Sequence, residues 1–329
     1  MKAVKRRIRS LLAALCVVGF VGNAAAQAPA YPARYITVVV PYGPGSVTDL
    51  VARIVSDEMT RTLGQNVVVV NKGGAGGAVA AVAVRSNAPD GYTIMMGSSG
   101  SLLLRPTLDP EPAYNVGEFT AIGKAVYIPP LLLVGSNKVR ATTFNEMVRY
   151  IATNDTSFAT GHDPAMLAAA ELLNWKHLKA VRIPYNSEPK AVEGLLAGQT
   201  SWMFLGVAIA RQFVEEKQIR AYATLGVKRY PSLPDVPTVA ELGAPELTQR
   251  LSWLGLFGPK GMPNEVVVRL SGALKMALEN SDVRERLTKL NFEVSYSNAD
   301  ALSSEAADDL RHIKSRVEVL SGKKLISKR

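Results

Sequence analysis

Short loops rich in glycine and small hydroxyl side chains stand where strand-like segments give way to helix-like ones. Three of them read "YGPGSVTD" (residues 42–49), "NKGGAGG" (71–77) and "GSSGS" (97–101). A fourth, "ATGHDPA", covers residues 159–165. Such loops present unpaired backbone N–H groups and the positive end of a helix dipole, an arrangement that suits a small anion such as a carboxylate.

The first loop carries the clearest set of candidate binding groups. Gly45 permits an unusual backbone conformation or a close approach, while Ser46 and Thr48 add hydroxyl groups. Asp49 stands beside Thr48 and is a candidate general base, but a carboxylate at a helix start more often caps the helix and holds the loop's own amides. The pattern therefore favours binding over catalysis.

Motifs typical of enzymes are missing from the sequence. It contains no GxSxG, no GxxxxGK[ST] and no HExxH, and its three histidines, His162, His177 and His312, lie far apart. The run "NKGGAGGAVAAVA" is not a dinucleotide fingerprint, because Val79 stands where the third glycine of GxGxxG belongs. We expect no catalysis, no cofactor and no metal.

The N-terminus has the pattern of a secretory signal peptide. Basic residues precede the apolar run "LLAALCVVGFVG", and "NAAAQA" supplies small residues for cleavage after Ala26. We expect residues 1–26 to be removed and the mature protein to be exported to the periplasm. A twin-arginine reading of Arg6 and Arg7 is a weaker alternative, and Leu15 is too large for a lipoprotein cleavage site before Cys16.

The charge of the mature chain excludes some partners. The signal peptide removes five of the 38 basic residues and none of the 28 acidic ones, which leaves a net charge of +5. The remaining basic residues are scattered, so we expect no nucleic-acid binding. Loss of Cys16 leaves no cysteine and hence no disulfide. We expect a monomer.

Strand-like and helix-like segments alternate in two series, residues 35–97 and 143–226. This alternation predicts an α/β protein of two lobes, each a mostly parallel sheet flanked by helices. We assign residues 30–127 and 238–329 to lobe 1 and residues 128–237, inserted between them, to lobe 2. The chain would cross between the lobes near residues 125–133 and 223–237, forming a hinge beside a cleft.

The sequence resembles the Bug family, the periplasmic receptors of tripartite tricarboxylate transporters. The resemblance rests on stretches that follow the family's order over nearly the whole mature chain: "YPARYITVVVPYGPGSVTDLVAR", "LGQNVVVVNKGGAGGAVAA", "APDGYTIMMG", "VRIPYN", "LLAGQ", "IRAYATLGVKRYPSLPDVPTVAELG" and "WLGLFGPKGMPNEVVVRLSGAL". It implies a two-lobed periplasmic-binding-protein fold, a venus flytrap that closes on a small organic acid without transforming it.

The resemblance also implies which residues bind the ligand. The first-lobe loop that receives a carboxylate corresponds to residues 42–49, the second-lobe loop to residues 160–163, and the tyrosine of the following turn to Tyr185. We expect the rest of the ligand to meet further side chains of the cleft. The predicted site comprises Tyr42, Gly45, Ser46, Val47, Thr48, Asp49, Ser98, Thr160, Gly161, His162, Asp163, Tyr185 and Leu205.

Several positions depart from the family's pattern. Ser46 and Val47 replace two glycines of the usual "PPGGGTD" loop, and the second loop reads "TGHDPAMLAAAE" instead of a sequence like "SGVGSPPHLAGE". Leu205 stands where an aspartate is common, which removes the usual partner of a ligand amine. Because of these departures, the resemblance does not predict a specificity for simple dicarboxylates.

Three functions are compatible with these observations. The first is a periplasmic receptor that delivers a carboxylate to a membrane transporter. The second is a receptor whose closed form signals to a membrane histidine kinase, which needs the same cleft. The third is a hydrolase or isomerase using Asp49, Asp163 or His162, which predicts that Asp49→Asn abolishes turnover while binding persists. The sequence favours the first.

Overall fold

The computed structural model describes residues 31–249 and 252–322. The predicted signal peptide lies outside these residues, as do the last seven residues of the chain. The fold described below belongs to the compact unit that begins at Arg34. No helix among the described residues is both long enough and apolar enough to cross a bilayer.

Eleven strands among the described residues form two sheets. The first sheet has the order β11-β4-β10-β3-β1-β2 and the second the order β7-β6-β8-β5-β9. The strands of the first sheet are β1 (Ile36–Val40), β2 (Val67–Asn71), β3 (Thr93–Ser98), β4 (Phe119–Ile128), β10 (Ser252–Pro259) and β11 (Glu293–Asn298). Those of the second are β5 (Leu132–Ser136), β6 (Ser157–Thr160), β7 (Val181–Pro184), β8 (Trp202–Leu205) and β9 (Ile219–Thr224).

Ten α-helices in the described part of the chain flank the sheets. They are α1 (Val47–Leu63), α2 (Ala78–Arg85), α3 (Arg105–Leu108), α4 (Phe144–Thr153), α5 (Asp163–Trp175), α6 (Glu188–Ala197), α7 (Val207–Glu215), α8 (Asn264–Glu279), α9 (Ser281–Lys289) and α10 (Ala299–Gly322). A π-helical turn, Gly100–Leu104, leads directly into α3. Side-chain caps begin many of the helices, as Thr143 does for α4 by accepting the N–H of Glu146.

Both sheets are mixed, which differs from the mostly parallel sheets predicted. β1 runs parallel to β2 and β3, but β10 pairs antiparallel with β3 and β4, and β11 pairs antiparallel with β4. In the second sheet β6 runs parallel to β7 and β8, while β5 pairs antiparallel with β8 and β9. Four of the strands that form antiparallel pairs, β4, β5, β9 and β10, adjoin the segments where the chain passes between the sheets.

The chain passes twice between the sheets. The first passage lies between β4 and β5, within residues 129–131, inside the range predicted. On the return, Val239, Ala244 and Leu247 still pack in the core of the second sheet. The chain therefore stays with the second sheet as far as Leu247 and returns to the first sheet just before β10, which begins at Ser252. This return lies later in the chain than the predicted passage at residues 223–237. The division into two domains stays a prediction.

Each sheet has its own apolar core. In the second sheet Phe158 stacks on Trp202 with ring centroids 4.8 Å apart, among residues of α4 and α5. In the first sheet Trp253 and Phe257 pack against α2 and α10. A smaller cluster joins α3, α5 and the end of α10 through Leu108, Leu167 and Val317. Helix α10 thereby connects elements that belong to both sheets.

Candidate functional site

The loops that follow β1, β2 and β3 meet at one edge of the first sheet. These three strands are parallel, so their carboxyl ends face the same way. A Cβ placed on Gly73 would lie 3.4 Å from the backbone nitrogen of Gly43, and one on Gly77 would lie 2.8 Å from Cβ of Ser101. The glycine-rich sequences thus allow three loops to pack closely where ligands commonly bind in α/β proteins.

The loop before α1 presents backbone N–H groups. Gly45 has φ +76°, a conformation that favours glycine, and it turns the chain into the helix. Ser46 is the N-cap, and its Oγ accepts the N–H of Asp49 at 3.3 Å. An α-helix leaves its first N–H groups without intrahelical partners. Those of Val47 and Thr48 have no acceptor within the described residues.

Asp49 stabilises this loop from within the first turn of α1. Its Oδ2 accepts the N–H of Gly45 at 2.9 Å and Nε of Arg53 at 3.1 Å, and its Oδ1 accepts Nδ2 of Asn71 at 2.8 Å. Burial would raise the pKa of Asp49, but these donors outweigh burial and lower it. A carboxylate with a lowered pKa and this many partners is a weak base, which argues for a structural role.

The opposing loop, from the second sheet, uses a histidine as a helix cap. His162 is the N-cap of α5, and its Nδ1 accepts the N–H of Ala165 at 3.2 Å. An imidazole nitrogen that accepts a hydrogen bond carries no proton, so the single ring proton lies on Nε2. Next to it, a Cβ on Gly161 would lie 2.5 Å from the backbone nitrogen of Glu188, so only glycine fits there.

His162 and Glu188 form a buried pair. Nε2 of His162 lies 3.2 Å from Oε1 of Glu188, and the same oxygen accepts the N–H of Gly206 at 3.1 Å. Burial would raise the pKa of Glu188, but His162 and the Gly206 N–H outweigh it and lower that pKa. Glu188 therefore carries its negative charge at neutral pH.

Two contacts of His162 affect its protonation in opposite directions. Burial would lower its pKa, but the Glu188 carboxylate outweighs burial and raises it. The N–H of Ala165 opposes protonation, because a charged ring has no acceptor at Nδ1. The helix cap therefore keeps the ring neutral in the observed geometry, and protonation would break the cap.

A cavity of about 80 Å³ lies between the two sheets. One water molecule takes up about 10–15 Å³ of such a cavity, so the cavity has room for a small molecule of several non-hydrogen atoms. Its walls comprise Tyr42, Ser46, Val47, Thr48, Ser98, Gly100, Ile128, Pro129, Pro130, Leu131, Gly161, His162, Pro164, Glu188, Gly206, Gln249 and Ser252. No lysine or arginine is among these described residues, and most of the wall is apolar.

Loops of the two sheets touch around this cavity. A Cβ on Gly100, after β3, would lie 2.9 Å from Cγ of Pro164 in α5. One on Gly206, before α7, would lie 3.4 Å from Cγ2 of Val47 and 3.5 Å from Oε1 of Glu188. The start of α1 and the Glu188 carboxylate thus both lie close to Gly206, and the cleft is narrow there.

A second, larger cavity of about 510 Å³ adjoins the first. It shares Tyr42, Gly161 and His162 with the first cavity. Its other polar lining includes Thr160, Asp163, Tyr185, Arg105 and Arg182. Nε of Arg182 donates to Oγ1 of Thr160 at 3.0 Å. All four predicted residues of the second loop, 160–163, therefore line the second cavity, and two of them also line the first.

The predicted site residues fall into three groups. Those on the first cavity are Tyr42, Ser46, Val47, Thr48, Ser98, Gly161 and His162, and those on the second alone are Thr160, Asp163 and Tyr185. Gly45 and Asp49 belong to the first loop and hydrogen-bond to each other, but they line neither cavity. Leu205 also lines neither, because it is fully buried in the core of the second sheet with Leu132 and Met203.

Sequence reasoning missed part of the first cavity. Glu188 was not singled out, since an acid at the first position of a helix is common for electrostatic reasons. Gln249 and Ser252 lie where the chain returns to the first sheet, and Pro129 and Pro130 lie in the first passage. The Pro-Pro break marked that passage but did not show that it lines a cavity.

The polar groups of the cavity are suited to binding a ligand. Burial raises the pKa of the Tyr42 hydroxyl far above its ordinary value, with a further contribution from Asp163, so the hydroxyl stays neutral. Among the described residues no group of three or more histidine, cysteine, aspartate or glutamate side chains could hold a metal ion. The arrangement can bind, orient and enclose a small molecule.

Comparison with known proteins identifies similar sequences and structures. The family described as "Tripartite tricarboxylate transporter family receptor" matches residues 51–321. Protein BugT of Bordetella pertussis is 30% identical over 309 residues, which cover 90% of this chain and 94% of BugT.

Two solved structures extend the comparison. MatC from Rhodopseudomonas palustris, solved with bound malate, is 31% identical with a TM-score of 0.82, over 87% of this chain and all of MatC. The periplasmic binding protein BugD is 30% identical with a TM-score of 0.84, over 88% of this chain and 99% of BugD. Both confirm the predicted α/β fold of the periplasmic-binding-protein type.

Proposed function

We propose, from the premise that this chain belongs to the tripartite tricarboxylate transporter receptor family, that it is a periplasmic receptor for a small carboxylate. It captures the acid between its two sheets and delivers it to a membrane transporter. The family is one of receptors, which confirms the expectation that the protein is not an enzyme.

One observation carries the proposal: Val47 and Thr48, whose N–H groups have no acceptor within the described residues, line a cavity that both sheets enclose. Two amides and the N-terminus of a 17-residue helix form a site for one carboxylate group. The solved structure of MatC with bound malate supports a carboxylate as the class of ligand. Residues 42–48 and 160–163 are proposed as the loops that hold it.

We further propose that the two sheets, with their helices, act as lobes that move about the two connecting passages. Closure would bring the loops of both lobes onto one ligand, and the closed form would be presented to the transporter subunits. Export to the periplasm through cleavage after Ala26 belongs to the same proposal. So does the expectation that the receptor acts as a monomer.

A ligand screen tests the proposal. Native mass spectrometry of freshly purified protein is expected to reveal a bound organic acid, and a panel of carboxylates should include some that raise the melting temperature. A ligand at 100 times its dissociation constant stabilises a folded protein by about 2.7 kcal/mol. A broad panel in which no carboxylate shifts the melting temperature would contradict the proposal.

A further inference from the structure

Glu188 places a negative charge inside the cavity that the proposed function assigns to a carboxylate ligand. Its side chain is only 4% exposed and lines the cavity wall. A buried charge needs partners, because its removal from water is costly. The groups that face this carboxylate therefore decide which ligands the cavity accepts.

The partners of Glu188 satisfy one of its two oxygens. His162 Nε2 and the N–H of Gly206 both approach Oε1, at 3.2 Å and 3.1 Å. Within the described residues, Oε2 receives no hydrogen bond. A carboxylate oxygen can accept two hydrogen bonds, so Oε2 has room for a donor from a molecule in the cavity that Glu188 lines.

The rest of the cavity supplies no cation to balance this charge. No lysine or arginine is among its described lining residues, and His162 uses its Nδ1 as an acceptor for Ala165 and is neutral in that geometry. The positive end of the cavity is the start of α1, across the cleft at Val47 and Thr48. The cavity is therefore polarised, with hydrogen-bond donors on one side and an acceptor on the other.

We propose that Glu188 is a specificity-determining residue that accepts an N–H group of the ligand. The ligand is a monocarboxylate that bears an ammonium or amide nitrogen at the end away from its carboxylate. Its carboxylate lies at the start of α1, its carbon chain along the apolar wall, and its nitrogen against Oε2 of Glu188. This inference rests on the proposed function and narrows its class of ligand.

The same geometry disfavours dicarboxylates. A second carboxylate would lie beside Glu188, and two like charges brought together without a cation repel each other strongly in a buried site. Leu205, fully buried in the core, does not offer an alternative partner at the position where the family often has an aspartate. Glu188, at the start of α6, provides a carboxylate from a different element than β8, which carries Leu205.

Four acids with the same four-carbon backbone test the inference by isothermal titration calorimetry. They are butyrate, 4-aminobutyrate, succinamate and succinate. We expect 4-aminobutyrate or succinamate to bind at least tenfold more tightly than succinate and than butyrate. Whichever of these two acids binds more tightly shows whether the site prefers a charged ammonium group or a neutral amide.

Glu188→Gln should remove this preference. The glutamine oxygen can still accept the N–H of Gly206, while its NH₂ group donates to a ligand carboxylate, so the ratio of affinities should shift at least tenfold toward succinate. Glu193→Gln is the matched control, since Glu193 lies on the same helix but its side chain is 63% exposed and pairs with Lys190. The control should leave every affinity unchanged.

The inference is overturned if neither nitrogen-bearing acid binds more tightly than succinate, which includes the case in which none of the four binds. It is also overturned if Glu188→Gln leaves the ratio of affinities unchanged. The proposed function has a separate test: it stands if any carboxylate in the broad panel binds, and it fails if none does. If the receptor binds succinate more tightly than both nitrogen-bearing acids, the proposed role of Glu188 is disproved and the proposed function still stands.

Discussion

The carboxylate of Asp49 accepts the backbone N–H of Gly45, four residues before it, at 2.9 Å. A side chain in the first turn of α1 thereby fixes the loop that leads into the same helix. Asp49 lines neither cavity, so it positions the loop without standing in the path of a ligand. The free N–H groups of Val47 and Thr48 depend on this arrangement for their direction.

Asp49→Asn should destabilise the folded protein. The amide can replace only some of the bonds that the carboxylate makes with Gly45, Asn71 and Arg53. Hydrogen bonds to charged groups contribute about 1.5–3 kcal/mol, so we expect a loss within about 1–3 kcal/mol, measured by urea unfolding at pH 7. Asp57→Asn is the control, since Asp57 lies on the same helix with its side chain 67% exposed.

The loss in Asp49→Asn should depend on pH. The pKa of Asp49 is lower in the folded protein than its unfolded value of about 3.9. Its contribution is therefore present above about pH 4 and is lost as the pH falls toward the folded pKa. The wild type and Asp49→Asn should thus differ most at pH 5–7, and the difference should shrink as the pH falls below about 4; a constant difference in unfolding free energy would contradict the assignment.

Val47→Pro tests the backbone donors directly. Proline is favoured at the first position of a helix and lacks an N–H, so the variant deletes one donor while the helix remains. Ser46, the preceding residue, has φ −69° and ψ 159°, which a following proline tolerates. We expect the affinity for the carboxylate found in the screen to fall about 10- to 100-fold, the value of a hydrogen bond to a charged group.

Val47→Ala is the matched control for the proline variant. It removes more of the side chain but keeps the N–H, so its affinity should stay within a few-fold of the wild type. Equal losses in the two variants, measured by calorimetry, would mean that the side chain and not the amide binds the ligand.

The titration of His162 should report on Glu188. Because the carboxylate raises the pKa of His162, Glu188→Gln should lower it. Nitrogen-15 NMR of labelled histidines measures this change and should also find the neutral ring protonated on Nε2. The signals of His177 and His312 serve as internal controls. An unchanged pKa for His162 in the variant would contradict the pairing.

Much of the fold could be predicted because local patterns determine it. The apolar run in β1, Gly45 and the helical spacing in α1 each favour the element that the structure contains. Strand β11, Glu293–Asn298, was missed because most of its side chains are half-exposed and no apolar alternation marks it. The helical segment after β3 was also missed, since "GSSGS" is typical of a turn.

The candidate site was less accessible to sequence reasoning. Loops at the ends of parallel strands could be placed at one edge of the sheet from their order alone. Glu188 could not be placed in the cavity, because its position depends on contacts with Gly161 and Gly206 that are distant in sequence. The direction of Leu205 toward the core likewise follows from its pairing with Leu132, which the sequence does not specify.

Gly100→Ala should hinder the approach of the two sheets. A methyl group there would lie 2.9 Å from Cγ of Pro164, closer than side chains tolerate, and 3.3 Å from the hydroxyl of Tyr42, which would have to shift slightly. Overpacking of this kind costs about 1–3 kcal/mol. Since the contact with Pro164 exists only when the sheets are close, we expect about a tenfold loss of ligand affinity and a larger radius of gyration by small-angle scattering with ligand present.

Gly272→Ala is the control, because Gly272 lies within α8 with nothing within 4 Å of an added Cβ. Alanine is favoured over glycine in a helix by about 1 kcal/mol, so this variant should melt slightly higher and bind as the wild type does. Melting curves without ligand separate a folding defect in Gly100→Ala from a defect in closure. If Gly100→Ala binds with wild-type affinity, the contact between Gly100 and Pro164 does not limit closure, and the two sheets need not approach as closely as the structure has them.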